Sequence, residues 1–231
     1  MLKIFIGYDE EETVAYHVLS HSILRRSSIP VSITPLNRKS LKGIYDRARG
    51  DLESTDFSMS RFVVPYLCGY EGFAVFMDCD MLCLGDVVEL ARHTSIADTY
   101  GHSCRVVKHD YLPRHEKKFL GNTQTAYEKK NWSSVILFNN PLCQELTLKA
   151  VNENPGLWMH QFKWTEDHRI GSLPKEWNYL VGEDNQTSKD PRLIHFTNGT
   201  PCFPEYDQCE YAESWRSERE DMLSYAAVGK R

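Results

Sequence analysis

The pattern of apolar and polar positions at the start of the chain predicts a strand, a helix and a second strand. Residues 3–6 form an apolar run of strand length, and Gly7, Tyr8 and Asp9 interrupt it. Apolar residues then recur at helical spacing over 14–23, and residues 31–34 form a short strand between two prolines. This β-α-β order predicts parallel strands joined by a right-handed crossover. Ligands of such sheets bind at the carboxyl ends of the strands, where Gly7, Tyr8 and Asp9 lie.

The middle of the chain predicts a helix over 58–68, which Pro65 should kink or shorten, and an apolar strand over 73–78. Asp86 can cap a helix that begins there, with Glu89 at the capping-box position, so we expect Asp86 to be structural. Further elements are expected at 104–108, 133–138 and 193–196 (strands) and at 142–152 and 209–227 (helices, the last a solvated surface helix).

Two carboxylates stand one residue apart at the end of the apolar run, in the sequence Phe-Met-Asp-Cys-Asp-Met-Leu. Side chains alternate along a strand, so Asp78 and Asp80 should point the same way and Cys79 the opposite way. Neighbouring carboxylates repel, and burying their charge is unfavourable. A divalent cation removes that repulsion and prefers oxygen ligands. The pattern therefore predicts either a metal site or a strand end with two solvated acids.

Composition narrows the class of protein. The 231 residues are 41% hydrophobic and 26% charged, as in an ordinary soluble globular protein. The net charge of -5 argues against a nucleic-acid partner, which needs a basic surface. No apolar run approaches the roughly 20 residues of a transmembrane segment, and the first residues are too short for a signal peptide. We expect a cytoplasmic protein, or one peripheral to a membrane.

The seven cysteines are expected to be reduced thiols. Their number is odd, they lack paired zinc-type spacing, and several lie inside apolar runs. The segment 158–185 combines tryptophan, glycine and polar residues with weak periodicity, which indicates a functional loop. Its tryptophans belong either to the core or to the walls of a binding site, where they would stack on the rings of a ligand; they are Trp158, Trp164 and Trp177.

Four features follow one another along the chain: Gly-Tyr-Asp after the first strand, Arg61 in Ser-Met-Ser-Arg-Phe, the Asp-x-Asp pair, and His195 followed by Gly199. In this order the chain resembles the nucleotide-sugar glycosyltransferases of the GT-A fold, and among them family 8 and its relatives. The resembling stretches are 4–23, 58–87, 132–139 and 161–199. The resemblance implies a single α/β domain over 1–204, with a mixed central sheet flanked by helices. Its Rossmann-like nucleotide-binding half would be 1–90 and its acceptor-binding half 91–204, before a helical tail at 205–231.

The resemblance also implies a division of roles. Asp78, Asp80 and His195 would hold Mn²⁺ (or Mg²⁺), which bridges the diphosphate of a UDP-sugar donor. The remaining donor contacts would come from Gly7, Tyr8, Asp9, Arg61, Cys79 and Gly199. Glycine would let the nucleotide approach the backbone, tyrosine would stack on a base, and arginine would face the diphosphate or sugar.

Three of these residues have structural alternatives. His195 could be a hydrogen-bonded core residue, Arg61 could pair with a carboxylate, and Asp9 could cap a helix.

The chain also departs from the family pattern at two places. The family 8 motif continues Gly-x-x-Lys-Pro-Trp after its histidine, whereas this chain lacks the lysine, so Arg61 or the Gly199 backbone N–H would have to replace it. The family sequence Phe-Asn-Ala-Gly corresponds here to residues 131–134, where Trp132 replaces the usual asparagine.

These features predict a metal-dependent glycosyltransferase that moves a sugar from a UDP-sugar to a hydroxyl of a glycan or lipid-linked acceptor. Family 8 enzymes retain the anomeric configuration, either by a front-side route or through an enzyme nucleophile. Asp167 is the first candidate for a nucleophile and Gln161 a polar candidate; a nucleophile must lie within covalent reach of the anomeric carbon. The other acids considered, each of which could equally be a solvated loop residue, are Glu166, Glu183 and Asp184.

Two rival functions remain at this point. A protein could keep the fold and bind a sugar nucleotide without turnover, and the missing lysine leaves that alternative open. Haloacid dehalogenase-like phosphatases also place Asp-x-Asp after an apolar strand, with the first aspartate as nucleophile. In them threonine or valine usually stands two residues after the second aspartate, where this chain has Leu82.

Overall fold

The computed structural model describes residues 1–50, 53–94, 101–110, 127–183 and 189–224. The strands are β1 Leu2–Tyr8, β2 Val31–Asn37, β3 Phe73–Met77, β4 Met81–Cys83, β5 Cys104–Val106, β6 Val135–Asn139, β7 Ile170–Ser172, β8 Tyr179–Leu180 and β9 Leu193–His195. The α-helices are α1 Thr13–Arg26, α2 Val64–Leu67, α3 Val88–Arg92, α4 Leu148–Glu153, α5 Gly156–His160 and α6 Ala212–Leu223. Short 3₁₀ turns join several of them.

A six-stranded mixed sheet forms the centre, in the order β2-β1-β3-β6-β5-β7. Strand β1 pairs in parallel with both β2 and β3, which confirms the predicted β-α-β opening. Strand β6 runs antiparallel to β3 and β5, and β7 is parallel to β5. Pro35 lies inside β2, which is tolerated because β2 is an edge strand of this sheet.

Three further strands form a second, smaller sheet in the order β4-β9-β8. The chain leaves β3 at Met77, passes through residues 78–80, and enters β4 at Met81, which pairs with His195 of β9. The Asp-x-Asp pair therefore lies in the link between the two sheets. The argument from side-chain alternation assumed instead that both aspartates continue a strand. The link brings the pair next to His195 because the β4–β9 pairing begins there.

Two predicted helices are shorter than expected. The region 58–68 divides into a 3₁₀ turn at Ser60–Val63 and the short α2, with Pro65 in the first turn of α2, where a proline is tolerated. Helix α4 begins only at Leu148, because the Thr147 side chain accepts the Ala150 N–H and caps it. The structural role expected of Asp86 is confirmed: its carboxylate accepts the backbone N–H groups of Val88 and Ser28.

The C-terminal helix α6 is anchored and not merely solvated. Trp215 is fully buried, and the buried Glu218 pairs with His21 at 2.6 Å and Arg26 at 2.7 Å on α1. The seven cysteines are all free thiols, as expected. In the described ranges, none of the helices has the length and apolar character that would let it cross a bilayer.

Candidate metal centre and its cavity

Asp78, Asp80 and His195 converge at the junction of the two sheets. One potential ligand atom from each lies within 4.8 Å of the others, and all three side chains are buried. The His195 Nε2 atom lies 3.4 Å from Asp80 Oδ1 and 4.0 Å from Asp78 Oδ2. The predicted metal set is therefore brought together, and the alternative of two solvated strand-end acids is excluded by their burial.

The chemistry of this group of side chains fits a divalent cation. Two carboxylates buried at one point repel, and an ion between them would reverse that repulsion. The nitrogen-to-oxygen separations exceed the 2.7–3.2 Å of a direct hydrogen bond, which suits atoms that share an ion rather than a proton. Carboxylate oxygens are typical ligands of Mg²⁺ and Mn²⁺, and imidazole is a typical ligand of transition metals. The protein therefore has a possible divalent-metal site of two oxygens and one nitrogen.

Arg61 is tied to this site. One of its guanidinium nitrogens lies 2.8 Å from Asp78 Oδ1 and donates to the Ser133 carbonyl at 2.8 Å, while its Nε donates to the Ser58 carbonyl. Its guanidinium also lies over the Phe76 ring, 4.8 Å from the centroid. The structural alternative, pairing with a carboxylate, is what the geometry shows. The carboxylate is a candidate metal ligand, however, so the pair belongs to the site.

A cavity of about 530 Å³ opens beside the three candidate ligands. Arg61, Asp78, Asp80 and His195 form part of its wall. Further lining residues include Arg47, Glu53, Tyr127, Lys130, Ser133, Leu157 and His160. This volume is in the range of small-molecule and cofactor sites, roughly 300–1,000 Å³.

His160 and Ser133 add a neutral polar pair to the cavity wall that sequence reasoning missed. The His160 Nδ1 and Ser133 Oγ atoms are 2.8 Å apart. Burial, together with the positive charge of Arg61, holds the pKa of His160 well below its usual 6.5, so the imidazole is neutral at pH 7. Burial also raises the pKa of Tyr127 to about 12. No local period marks this pair, because the two residues are 27 positions apart.

Gly7 and Tyr8 at the end of β1, and Asp9 directly after it, do not line this cavity in the described part of the chain. A Cβ on Gly7 would lie 2.3 Å from the Phe57 ring, so a side chain and not a nucleotide occupies the space beside this glycine. The Tyr8 hydroxyl hydrogen-bonds to Thr13 Oγ1 at 3.1 Å. Asp9 accepts the N–H groups of Glu11 and Asp56 with its two carboxylate oxygens, which is the capping role considered as its alternative.

Two further donor contacts implied by the resemblance point elsewhere. Cys79 does face away from the two aspartates: it is fully buried, and its Sγ lies 3.7 Å from Glu12 Oε2. Burial, reinforced by the Glu12 carboxylate, raises the pKa of this thiol well above 9. The Gly199 N–H donates to the Phe196 carbonyl at 2.8 Å, so the loop itself uses the donor that was expected to replace the missing lysine.

The described candidates for a nucleophile or polar catalytic group do not line the cavity. Asp167 is largely exposed and pairs with Lys129 at 2.6 Å, and this lysine lowers the pKa of the Asp167 carboxyl. The same lysine donates to the Gln161 carbonyl, and neither Asp167 nor Gln161 lines the cavity. The structure thus places Asp167 at an exposed position outside the cavity wall, and its role as a nucleophile stays a prediction. Glu166 is exposed, Glu183 is buried, and Asp184 lies outside the described residues.

The three tryptophans of segment 158–185 differ in how deeply they are buried. Trp164 and Trp177 are buried in the hydrophobic core, so they are not walls for sugar stacking. Trp158 is partly buried and packs against the same core.

Comparison with known proteins identifies both a relative and a fold. No protein-family model matches the chain. Protein CDI of Arabidopsis thaliana is 46% identical over an alignment of 227 residues, which covers 95% of this chain and 86% of that protein. The bifunctional glycosyltransferase WbbM superposes with a TM-score of 0.63 at 14% identity over 94% of this chain. The glycosyltransferase GlyE of Streptococcus pneumoniae superposes with a TM-score of 0.59 at 12% identity, also over 94% of this chain.

The chain spans 49% of WbbM and 60% of GlyE. At these identities the likeness establishes the fold, which is the predicted GT-A type: a mixed central sheet flanked by helices.

Proposed function

The chain belongs to the family of Arabidopsis thaliana protein CDI and has the fold of the GT-A glycosyltransferases, and from this premise we propose that it is a metal-dependent glycosyltransferase. It transfers a sugar from a UDP-sugar to a hydroxyl of a glycan or lipid-linked acceptor. The observation that carries the proposal is the convergence of Asp78, Asp80 and His195 on the wall of a cavity large enough for a sugar nucleotide.

Mn²⁺ is the cation that suits the site best. The two carboxylates select hard cations, and the imidazole nitrogen favours a transition metal over Mg²⁺. When bound, the cation neutralises the negative charge that develops on the departing diphosphate. Asp78, Asp80 and His195 would hold it.

Arg61 supports the same step from the protein side. Its contacts to the Ser58 and Ser133 carbonyls fix the guanidinium against Asp78, so the positive charge is in place before the reaction. The Ser133–His160 pair offers neutral hydrogen-bonding groups in the cavity wall, which suits the hydroxyls of a sugar ring. Arg61 thus acts on the diphosphate, and the neutral pair binds the sugar.

The carboxylates in the cavity wall favour a front-side route to retention, because each of them already has another role. In the described residues these carboxylates are Asp78, Asp80 and Glu53. Asp78 and Asp80 would hold the cation, and Glu53 pairs with Arg47 at 3.6 Å. In this route the bond from the anomeric carbon to the diphosphate breaks, and its electron pair leaves with the diphosphate. The acceptor oxygen bonds the same face of that carbon, and its proton passes to the departing phosphate oxygen. Retention itself is inferred from the likeness to family 8.

Thermal stability measured against a panel of nucleotide sugars, with and without Mn²⁺, tests the proposal. A ligand that binds only the folded state raises the melting temperature, so a shift that needs both a UDP-sugar and Mn²⁺ is expected. UDP release is then measured with the donor that gives the largest shift. The matched control is Asp80→Asn, which keeps the side-chain shape and removes the charge.

Two outcomes would contradict parts of this proposal. Stabilisation by UDP and Mn²⁺ without UDP release, over a broad set of donors and acceptors, would indicate a protein that binds sugar nucleotides without turnover. No Mn²⁺-dependent shift with any nucleotide would remove the metal assignment. The GT-A fold is not that of the haloacid dehalogenase-like phosphatases, and Asp78, which would be their nucleophile, is paired with Arg61.

A further inference from the structure

Asn178 lies directly behind His195, on the side away from the two aspartates. It is fully buried, and its Oδ1 atom is 2.9 Å from His195 Nδ1. Its Nδ2 atom donates to the Asn131 carbonyl at 3.2 Å. Asn131 adopts a left-handed conformation with φ of 60°, which asparagine tolerates better than most residues.

These contacts determine which nitrogen of His195 carries the proton. A backbone carbonyl can only accept, so the amide nitrogen of Asn178 must face Asn131, and its oxygen must face His195. An amide oxygen in turn accepts from an N–H, so His195 Nδ1 is protonated. In a neutral imidazole, Nε2 then carries the lone pair, and Nε2 is the atom that faces Asp80 and Asp78.

We propose that Asn178 is a positioning residue for the metal centre: it fixes the tautomer and ring plane of His195, so that Nε2 offers its lone pair to a divalent cation shared with Asp78 and Asp80. The inference rests on the proposed metal-dependent function. Outer hydrogen bonds of this kind are a general requirement of histidine ligands, because they select the tautomer and hold the ring.

The fold holds Asn178 and His195 in register with each other. Asn178 directly follows a 3₁₀ turn whose last residue, Trp177, is buried in the core. Strand β8 begins at the next residue and pairs with β9, with Leu180 opposite His195. The pairing of β8 with β9 therefore sets the distance between the Asn178 amide and the His195 imidazole.

Mn²⁺ affinity, measured by the electron paramagnetic resonance signal of free Mn²⁺ with and without UDP, tests the proposal without an activity assay. Asn178→Leu removes the acceptor at similar volume and should weaken Mn²⁺ binding by about 10–100-fold. Asn178→Asp keeps an acceptor and should stay within about threefold of the wild-type affinity. Asn140→Leu is the matched control: Asn140 is also fully buried, but its amide donates to the Glu71 carbonyl, away from the metal centre.

A purely structural role for Asn178 would lower the melting temperature of Asn178→Leu and Asn140→Leu alike and leave Mn²⁺ affinity unchanged in both. That result would overturn the proposal. If Asn178→Leu does not fold, Asn178→Ala replaces it, because it removes the same acceptor without filling the space. Equal Mn²⁺ affinity in Asn178→Ala and wild type would then overturn the proposal.

The ¹⁵N chemical shifts of the His195 ring in the metal-free protein give a second, independent readout, assigned by comparison with His195→Gln. Wild-type protein should show a protonated Nδ1, and Asn178→Leu or Asn178→Ala should lose that preference. A protonated Nε2 in neutral wild-type His195 would contradict the proposal. Failure of wild-type protein to bind Mn²⁺ even with UDP would instead contradict the proposed function, so the two failures are distinguishable.

Discussion

Asp9 and Asp78 stand at equivalent places in the structure, yet the protein uses them differently. Each directly follows a strand, and the two strands, β1 and β3, are parallel neighbours in the central sheet. Both oxygens of Asp9 accept backbone N–H groups, from Glu11 and Asp56. Asp78 instead faces the Arg61 guanidinium and the His195 imidazole.

The difference teaches how to separate a structural acid from a functional one at the carboxyl edge of a parallel sheet. A carboxylate whose two oxygens both accept nearby backbone N–H groups stabilises the local fold. Buried carboxylates that gather beside an imidazole are unfavourable for the fold without a cation. Both kinds of acid can stand at a strand end, so the groups that contact the carboxylate, and not its position, distinguish a structural acid from a functional one.

The largest effect is expected for Asp80→Asn. The variant keeps the size of the side chain and removes one of the two repelling charges, so its melting temperature should equal or exceed that of wild type. UDP-sugar turnover with Mn²⁺ should fall by roughly 10²–10³-fold, the scale of a lost electrostatic contribution to a transition state. Steady-state UDP release together with calorimetry checks both. Turnover close to wild type would place Asp80 in the same structural class as Asp9.

Arg61→Ala should lower kcat/KM for the donor by more than about tenfold, because a charge-assisted contact near the diphosphate is lost. It should also destabilise the protein, since Arg61 is buried and donates to the Ser58 and Ser133 carbonyls. Arg61→Lys separates the two effects, because it keeps the charge but cannot make the same set of contacts. A change in melting temperature without a change in kcat/KM would assign Arg61 to the fold alone.

Asp9→Ala should show the reverse of Asp80→Asn. Loss of a helix cap lowers the free energy of unfolding by about 1–2 kcal/mol. The kcat/KM for the donor should stay within about threefold of wild type, because Asp9 does not line the cavity. Chemical denaturation and steady-state kinetics measure the two quantities. A large rise in KM with little loss of stability would restore the predicted contact of Asp9 with the nucleotide.

The free energy of unfolding should fall as the pH drops below about 6.5, the pKa of an unperturbed histidine. His160 has a folded-state pKa well below 6.5, and burial lowers the pKa of His109 to about 3. The unfolded chain therefore binds more protons than the folded one in this range, and stability rises with pH, by up to about 1.4 kcal/mol per pH unit for each such histidine. Denaturation between pH 5 and 7 should show a smaller slope for His160→Gln, and an unchanged slope would contradict the neutral state of His160.

The smallest effect is expected for Asp167→Ala. The carboxylate is exposed and pairs with Lys129 at the surface, so turnover should stay within about twofold of wild type. Lys129→Ala serves as the control for loss of the same ion pair. A loss of turnover beyond about 100-fold in Asp167→Ala alone would return this residue to the role of nucleophile.

Local patterns in the sequence were enough for the parts of the molecule that depend on near neighbours. The β-α-β opening, the apolar strand β3 and the Asp-x-Asp pair all follow from short periods and adjacent residues, and the structure has them. Recognition of His195 as the third candidate ligand needed the family resemblance, because no spacing links it to residues more than 100 positions earlier.

The contacts that decide each side chain's use could not be predicted, because they join distant segments. Phe57 fills the space beside Gly7, the backbone N–H of Asp56 donates to Asp9, and the Asn178 amide hydrogen-bonds to His195. In each case the residue type was compatible with a ligand contact, and a partner brought in by the fold determined the outcome. The same reason explains why the pairing of Ser133 with His160 had no sequence signal.

The passage of the chain from β3 to β4 has a consequence for the motions of the protein. Asp78 and Asp80 lie in the link that connects the central sheet to the smaller sheet, and His195 belongs to the smaller sheet alone. A cation held by all three would cross-link the two sheets, as a disulfide cross-links two strands. Amide hydrogen exchange should then slow on metal loading along β9 and β4, including backbone groups that never touch the ion.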